Sequence, residues 1–186
     1  MTDRSVELST SESKFDIAYS GMAQARAQVL SFIEGVSQAD SEIRPGADEW
    51  SIGEISHHLL LVEKRHVQGM LEQIAEGQTE DFDRKLVLTK RLIPLEHTAD
   101  ISKSGKGKAP EGTHPTHGLL LKELTESLRQ IRRETRAKLL PYRSRNLSNL
   151  WWEHRRFGSM TLYERICLIG YHDLKHLAQM ARVLKN

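Results

Sequence analysis

The sequence predicts an all-α protein, a four-helix bundle with a long connection between its second and third helices. Three observations carry that prediction. Proline and glycine divide the chain into four long stretches that hold no proline and few glycines, Gly21 and Gly35 in the first. Within each stretch apolar residues recur at spacings of three, four and seven, which places them on one face of a helix. No strand-length run alternates between apolar and polar residues.

The first helix is expected from Ser13 to about Val36, with Met22, Val29, Ile33 and Val36 on its inner stripe. Residues 1–12 form a polar tail before it, so the domain is expected to span 13–186. Pro45 and Gly46 end the segment that follows. The second helix should begin at Ser51, because a serine followed three residues later by Glu54 is the pattern of a capping box. Ile55, Leu59, Val62, His66 and Met70 then share one side, and the helix should reach about Ala75.

From Gly77 to Gly118 the periodicity weakens. A short helix is expected near Asp83 to Leu92, because so long a structureless loop is unusual in a compact domain. The basic run around Lys103, Lys106 and Lys108 reads as a solvated loop. The third helix follows Gly118, with Leu121, Leu124, Leu128, Ile131 and Leu139 inward and Pro141 at its end. Asn146 to Gly158 carries Trp151, Trp152 and Phe157 and reads as a structured connection whose aromatics serve the core or a dimer contact. The fourth helix should run from about Thr161 to Val183, with Leu162, Ile166, Ile169, Met180 and Val183 inward.

Composition narrows the function classes. Hydrophobic residues make up 38% and charged residues 28%, which suits one soluble core. No stretch is apolar enough to span a membrane, and residues 1–15 lack the apolar segment of a signal peptide. A net charge of +2 with interleaved signs gives no basic stripe for nucleic acid. The lone Cys167 cannot form an internal disulfide, in keeping with a cytoplasmic protein.

Nine histidines are more telling. His172 and His176 stand four residues apart, an advance of about 400°, so their rings project from one side of the helix one turn apart. The intervening Asp173-Leu174-Lys175 lacks the glutamate that a zinc metalloprotease helix would place after its first histidine. His58 shares a face with Ile55, Leu59 and Val62. Three imidazoles from two helices can therefore meet inside the bundle and leave positions open on a divalent metal. The plainer reading is that each is a hydrogen-bonded core histidine.

Two runs add to this. The first is Pro45-Gly46-Ala47-Asp48-Glu49-Trp50-Ser51-Ile52, with His58 eight residues after the tryptophan. The second is Phe157-Gly158-Ser159-Met160-Thr161-Leu162, then His172-Asp173-Leu174-Lys175-His176 and Gln179. Together they resemble the opening and closing signatures of the DinB/YfiT-like superfamily, over about residues 15–184. The resemblance implies a four-helix bundle holding a divalent metal, commonly zinc or nickel, on His58, His172 and His176. It also implies a homodimer, and enzymes that transfer low-molecular-weight thiols such as bacillithiol or mycothiol, or hydrolases, acting on small molecules.

Three helpers are candidates for that site. Asp173 is placed either to orient a ligand or to form a surface ion pair, and Gln179 either to hydrogen-bond near the site or to pack. Glu54 lies one turn before His58, although capping accounts for it more simply. The alternative to a metal-dependent enzyme is a non-enzymatic bundle with a structural metal, acting through homodimerisation or partner binding.

Overall fold

The computed structural model describes residues 13–77, 109–154 and 157–185. The tail, the helix expected near Asp83 to Leu92 and the basic loop of Lys103, Lys106 and Lys108 lie outside the described residues.

The described chain is mostly helical. Helix α1 spans Lys14–Glu34, the short α2 Gln38–Glu42, α3 Ile52–Glu76, α4 Leu121–Leu139 and α5 Leu162–Val183. Their starts follow the side chains available there. Ser13 accepts from the Asp16 amide, and Ser51 and Glu54 form the expected reciprocal box. Thr161 and Glu164 form a second such box at the head of α5. Leu120 has no capping side chain, and Gln38 of α2 takes up the Leu121 amide instead. Every apolar residue expected inward on α3 to α5 is buried, and so are Met22, Val29 and Ile33 of α1.

The connection before α5 corrects the sequence reading. Trp151–His154 (β1) and Gly158–Thr161 (β2) pair antiparallel as a small hairpin. Four-residue strands are too short for alternation to register. Gly158, at φ 70°, supplies the left-handed backbone conformation where the turn re-enters the ladder.

Helix α1 packs on α5 and α4, and α3 packs on α4 and α5. Gly170 lets α1 and α5 approach closely, since a Cβ there would lie 3.0 Å from the Met22 backbone. The interior holds two apolar clusters. One contains Met22, Val67, Leu139 and Ile169. The other contains Val29, Leu59, Ile131 and Met180. Chain directions follow from this partition. Helices α1 and α5 run from the first cluster to the second, whereas α3 and α4 run from the second to the first. The end of α3 and the start of α4 therefore lie at opposite ends of the helices, and α3 and α4 run parallel.

Between the clusters lies a charged layer, to which each long helix gives one residue. Arg26 (α1), Glu63 (α3), Arg132 (α4) and Asp173 (α5) are all buried. Arg26 grips Asp173 through Nε at 2.9 Å and Nη2 at 2.8 Å, and Nη2 also lies 3.1 Å from Glu63. Arg132 Nη2 reaches Asp173 at 2.9 Å and Glu63 at 3.1 Å. Among the described residues no helix is long and apolar enough to cross a membrane.

Candidate metal centre

The three predicted histidines meet beside the charged layer. His58 lies in the second turn of α3, where the capped start fixes its height, and it is 3% exposed. His172 and His176 project from α5 one turn apart; His176 is buried and His172 keeps partial exposure. The Nε2 atoms of His58 and His172 are 3.3 Å apart, and those of His176 and His172 are 3.1 Å apart. All three lie within 4.8 Å of one another.

The far side of each buried ring decides what these nitrogens are. His58 Nδ1–H donates to the Thr113 carbonyl at 2.7 Å. His176 Nδ1–H donates to Gln179 Oε1 at 2.8 Å. A neutral imidazole that spends its proton on Nδ1 presents a bare lone pair at Nε2. Burial keeps the rings neutral. It lowers the pKa of His58, pushes that of His176 down to about 3, and drives that of His172 well below the usual histidine range, with the neighbouring His176 adding to the effect. Two of the three converging nitrogens are thus acceptors on neutral rings, which suits a divalent cation.

The spacing fits as well. Imidazole nitrogens bound at about 2.0–2.1 Å sit about 3.3 Å apart at tetrahedral angles and about 2.9 Å apart at right angles. Two of the three separations, 3.3 and 3.1 Å, fall in that interval, and the third, between His58 and His176, is within 4.8 Å.

His57 is excluded from the cluster by its direction. Its Nδ1 accepts from the Thr116 amide at 2.9 Å, on the side of the returning connection. The Trp50 ring packs 4.8 Å from that of His58, so the tryptophan of the opening run backs the imidazole directly.

Among the helpers, Gln179 holds His176 as described. Asp173 neither orients a ligand nor lies on the surface: it is 1% exposed and both its oxygens are committed to Arg26 and Arg132. Glu54 is likewise engaged elsewhere, capping Ser51 and pairing with Arg44 and His117. Cys167 is half-buried, and burial together with the nearby Glu164 pushes its thiol up to about 12, so it supplies no thiolate near neutrality. Thr113 was not legible from sequence, because it lies in an aperiodic connection and acts through its backbone.

The family model of the DinB superfamily matches residues 22–180 of this chain. The chain belongs to the DinB superfamily. A curated relative, the uncharacterized protein YuaE of Bacillus subtilis (strain 168), is 24% identical over 161 residues, which cover 86% of this chain and 93% of YuaE. The family match over 22–180 takes in α3, most of α5 and all three histidines.

Proposed function

We propose that this DinB-family chain is a metal-dependent enzyme acting on a small molecule, with a divalent ion, zinc or nickel, held by His58, His172 and His176. The observation that carries this reading is the convergence of three imidazole nitrogens, two of them presented as acceptors because Thr113 and Gln179 take the Nδ1 protons. His172 keeps partial exposure, which favours an open catalytic centre over a closed structural one. Bound there, the ion would supply Lewis-acid chemistry, acidifying a water or thiol brought to it.

The chain's own residues contribute position. His58 and His176 hold their lone pairs toward one point. Trp50 shields the His58 ring from water. Cys167 offers no nucleophile, so the attacking group enters from solution, as a low-molecular-weight thiol in a transferase or as water in a hydrolase. The four long helices are read as a four-helix bundle formed by residues 13–186, and homodimerisation belongs to the same reading, with sedimentation velocity as its test.

Elemental analysis of purified protein tests the centre: about one divalent ion per chain is expected. Replacing His58, His172 and His176 together with Ala should abolish it, and full occupancy in that variant would overturn the assignment. Turnover of electrophiles in the presence of low-molecular-weight thiols, screened on metal-loaded protein, tests the reaction class.

A further inference from the structure

The seam between α3 and α5 holds a second feature, two turns along α5 from the histidine centre. Arg165 precedes His172 by seven residues, about 10.5 Å along the axis and on nearly the same face. Its side chain crosses to α3, as that of His172 does. Arg165 Nη1 donates to Gln73 Oε1 at 2.6 Å, and Nε donates to His66 Nδ1 at 3.4 Å. The guanidinium carbon lies 4.4 Å from the Trp152 ring centre, under the hairpin. Arg165 is only 5% exposed.

What the cluster lacks, among the described residues, is a paired anion. Among the described residues no carboxylate forms a salt bridge with Arg165. Glu72 acts on it only at longer range, and Arg65 adds a second positive charge nearby. No described residue accepts from Nη2. Burial and Arg65 bring the guanidinium down to about 10, so it stays charged at neutral pH. A buried cation without a counter-charge is unfavourable in a folded chain unless something else supplies that charge. The contrast lies one level along the same seam, where Arg26 and Arg132 have both Glu63 and Asp173.

Gly69 shows that the position is built for the guanidinium. A Cβ on that residue would lie 2.4 Å from Arg165 Nη2. A glycine inside a helix is less favourable than alanine, and here it leaves the space in which Nη2 rests. His66 and His172 are both partly exposed, whereas His58 and His176 are buried.

We infer that Arg165, backed by Trp152 and His66, is the binding point for the carboxylate of a small-molecule ligand whose other end reaches the three-histidine centre. This inference rests on the reading of that centre as the reaction site. The single free edge of the guanidinium suits a planar monoanion. The axial separation sets the ligand's length, about that of a chain of six to eight heavy atoms.

Calorimetric titration with hexanoate, hexanol, hexylamine and inorganic phosphate tests it, on metal-loaded and on EDTA-treated full-length protein. Hexanoate should bind at least about tenfold more tightly than hexanol, with hexylamine and phosphate weaker still. Arg165→Met should remove that preference while the metal content stays at the wild-type value. Gly69→Ala, which displaces the guanidinium without altering charge, should weaken hexanoate in the same direction and guards against misfolding of the first variant. The same affinity in both variants, equal binding of hexanol, a preference for phosphate, or no hexanoate binding at all would each overturn the inference. Binding to EDTA-treated protein keeps the test separate from the metal assignment, because loss of the metal reading would leave the Arg165 response in place.

Discussion

Asp173→Asn should destabilise this protein by several kcal/mol, although it changes one atom of the side chain. In the native layer two guanidinium groups face two carboxylates, and Asp173 alone accepts from Arg26 Nε, Arg26 Nη2 and Arg132 Nη2. Burial works against the charge of Arg26, and the carboxylates of Asp173 and Glu63 more than offset it, raising its pKa above that of a free guanidinium. The asparagine leaves two buried cations with one anion. Its amide can accept at one oxygen only and turns two N–H donors toward guanidinium donors. Removing one partner of a buried pair costs about 3–5 kcal/mol. For a domain of this size each kcal/mol moves the melting temperature by about 2–4 °C, so a drop of about 6–20 °C is expected. The double variant Glu63→Met with Arg132→Met removes one charge of each sign and leaves the Arg26–Asp173 fork intact at 2.9 and 2.8 Å. It should therefore cost less than either of its single variants, a non-additivity that a double-mutant cycle reads directly. Circular dichroism melts in EDTA make the comparison. Asp173→Asn melting within about 2 °C of wild type, or a double variant as damaging as the sum of its singles, would refute the reasoning.

Further outcomes follow from the centre itself. Gln179→Leu removes the acceptor that aims His176 and should weaken metal affinity by about 10–100-fold without unfolding the chain, as competition with a chromogenic chelator would report. In metal-free protein, acidification should destabilise the fold. His176 is held down to about 3 by burial, while an unfolded histidine titrates near 6.5, so between those values the unfolded state binds the extra proton. Stability is then present above the unfolded value and is lost as pH falls through the window, by about 1.4 kcal/mol per pH unit for each fully buried neutral histidine. The upper part of the window, from about 6.5 to 5, lies above the range of ordinary carboxylates, so a melting temperature that stays flat there would count against burial of neutral rings.

The helices were legible because each is amphipathic over several turns, and the outer stripes of charge on α4 are as informative as its leucines. The opening of α3 was legible to the residue, since a capping box is a local pattern with a local cause. His172 and His176 were readable from spacing alone, and His58 could be told from His57 because a 100° step along a helix separates inside from outside. What escaped the sequence is non-local. Arg26, Glu63 and Arg132 look like surface charges on amphipathic helices, and only the meeting of four helices at one height turns them into a buried layer. Asp173 escaped for the same reason. The hairpin of Trp151 to Thr161 is too short for periodicity to reveal. Thr113 serves through its carbonyl, a group every residue carries.

The scaffold around the histidines argues that the centre is formed before any metal arrives. His172 Nε2 lies 3.3 Å from His58 Nε2 and 3.1 Å from His176 Nε2, and each flanking ring is also held from its far side. Thr113 and Trp50 fix His58, Gln179 fixes His176, and the Asp173 layer anchors α5 within one residue of His172. The apolar clusters on either side supply folding free energy that owes nothing to the site. This is unlike a zinc finger, whose metal provides most of its folding energy. Chelation should therefore leave the helical circular dichroism signal intact at room temperature while lowering the melting temperature. Metal at a hundredfold excess over its dissociation constant contributes about 2.7 kcal/mol, which corresponds to about 5–11 °C here. The triple alanine variant should not respond to metal, and relative to chelated wild type it should lose no more than the packing of three rings accounts for. Collapse of the helical signal on chelation would show instead that the metal organises the fold, and would overturn the view of the centre as preformed.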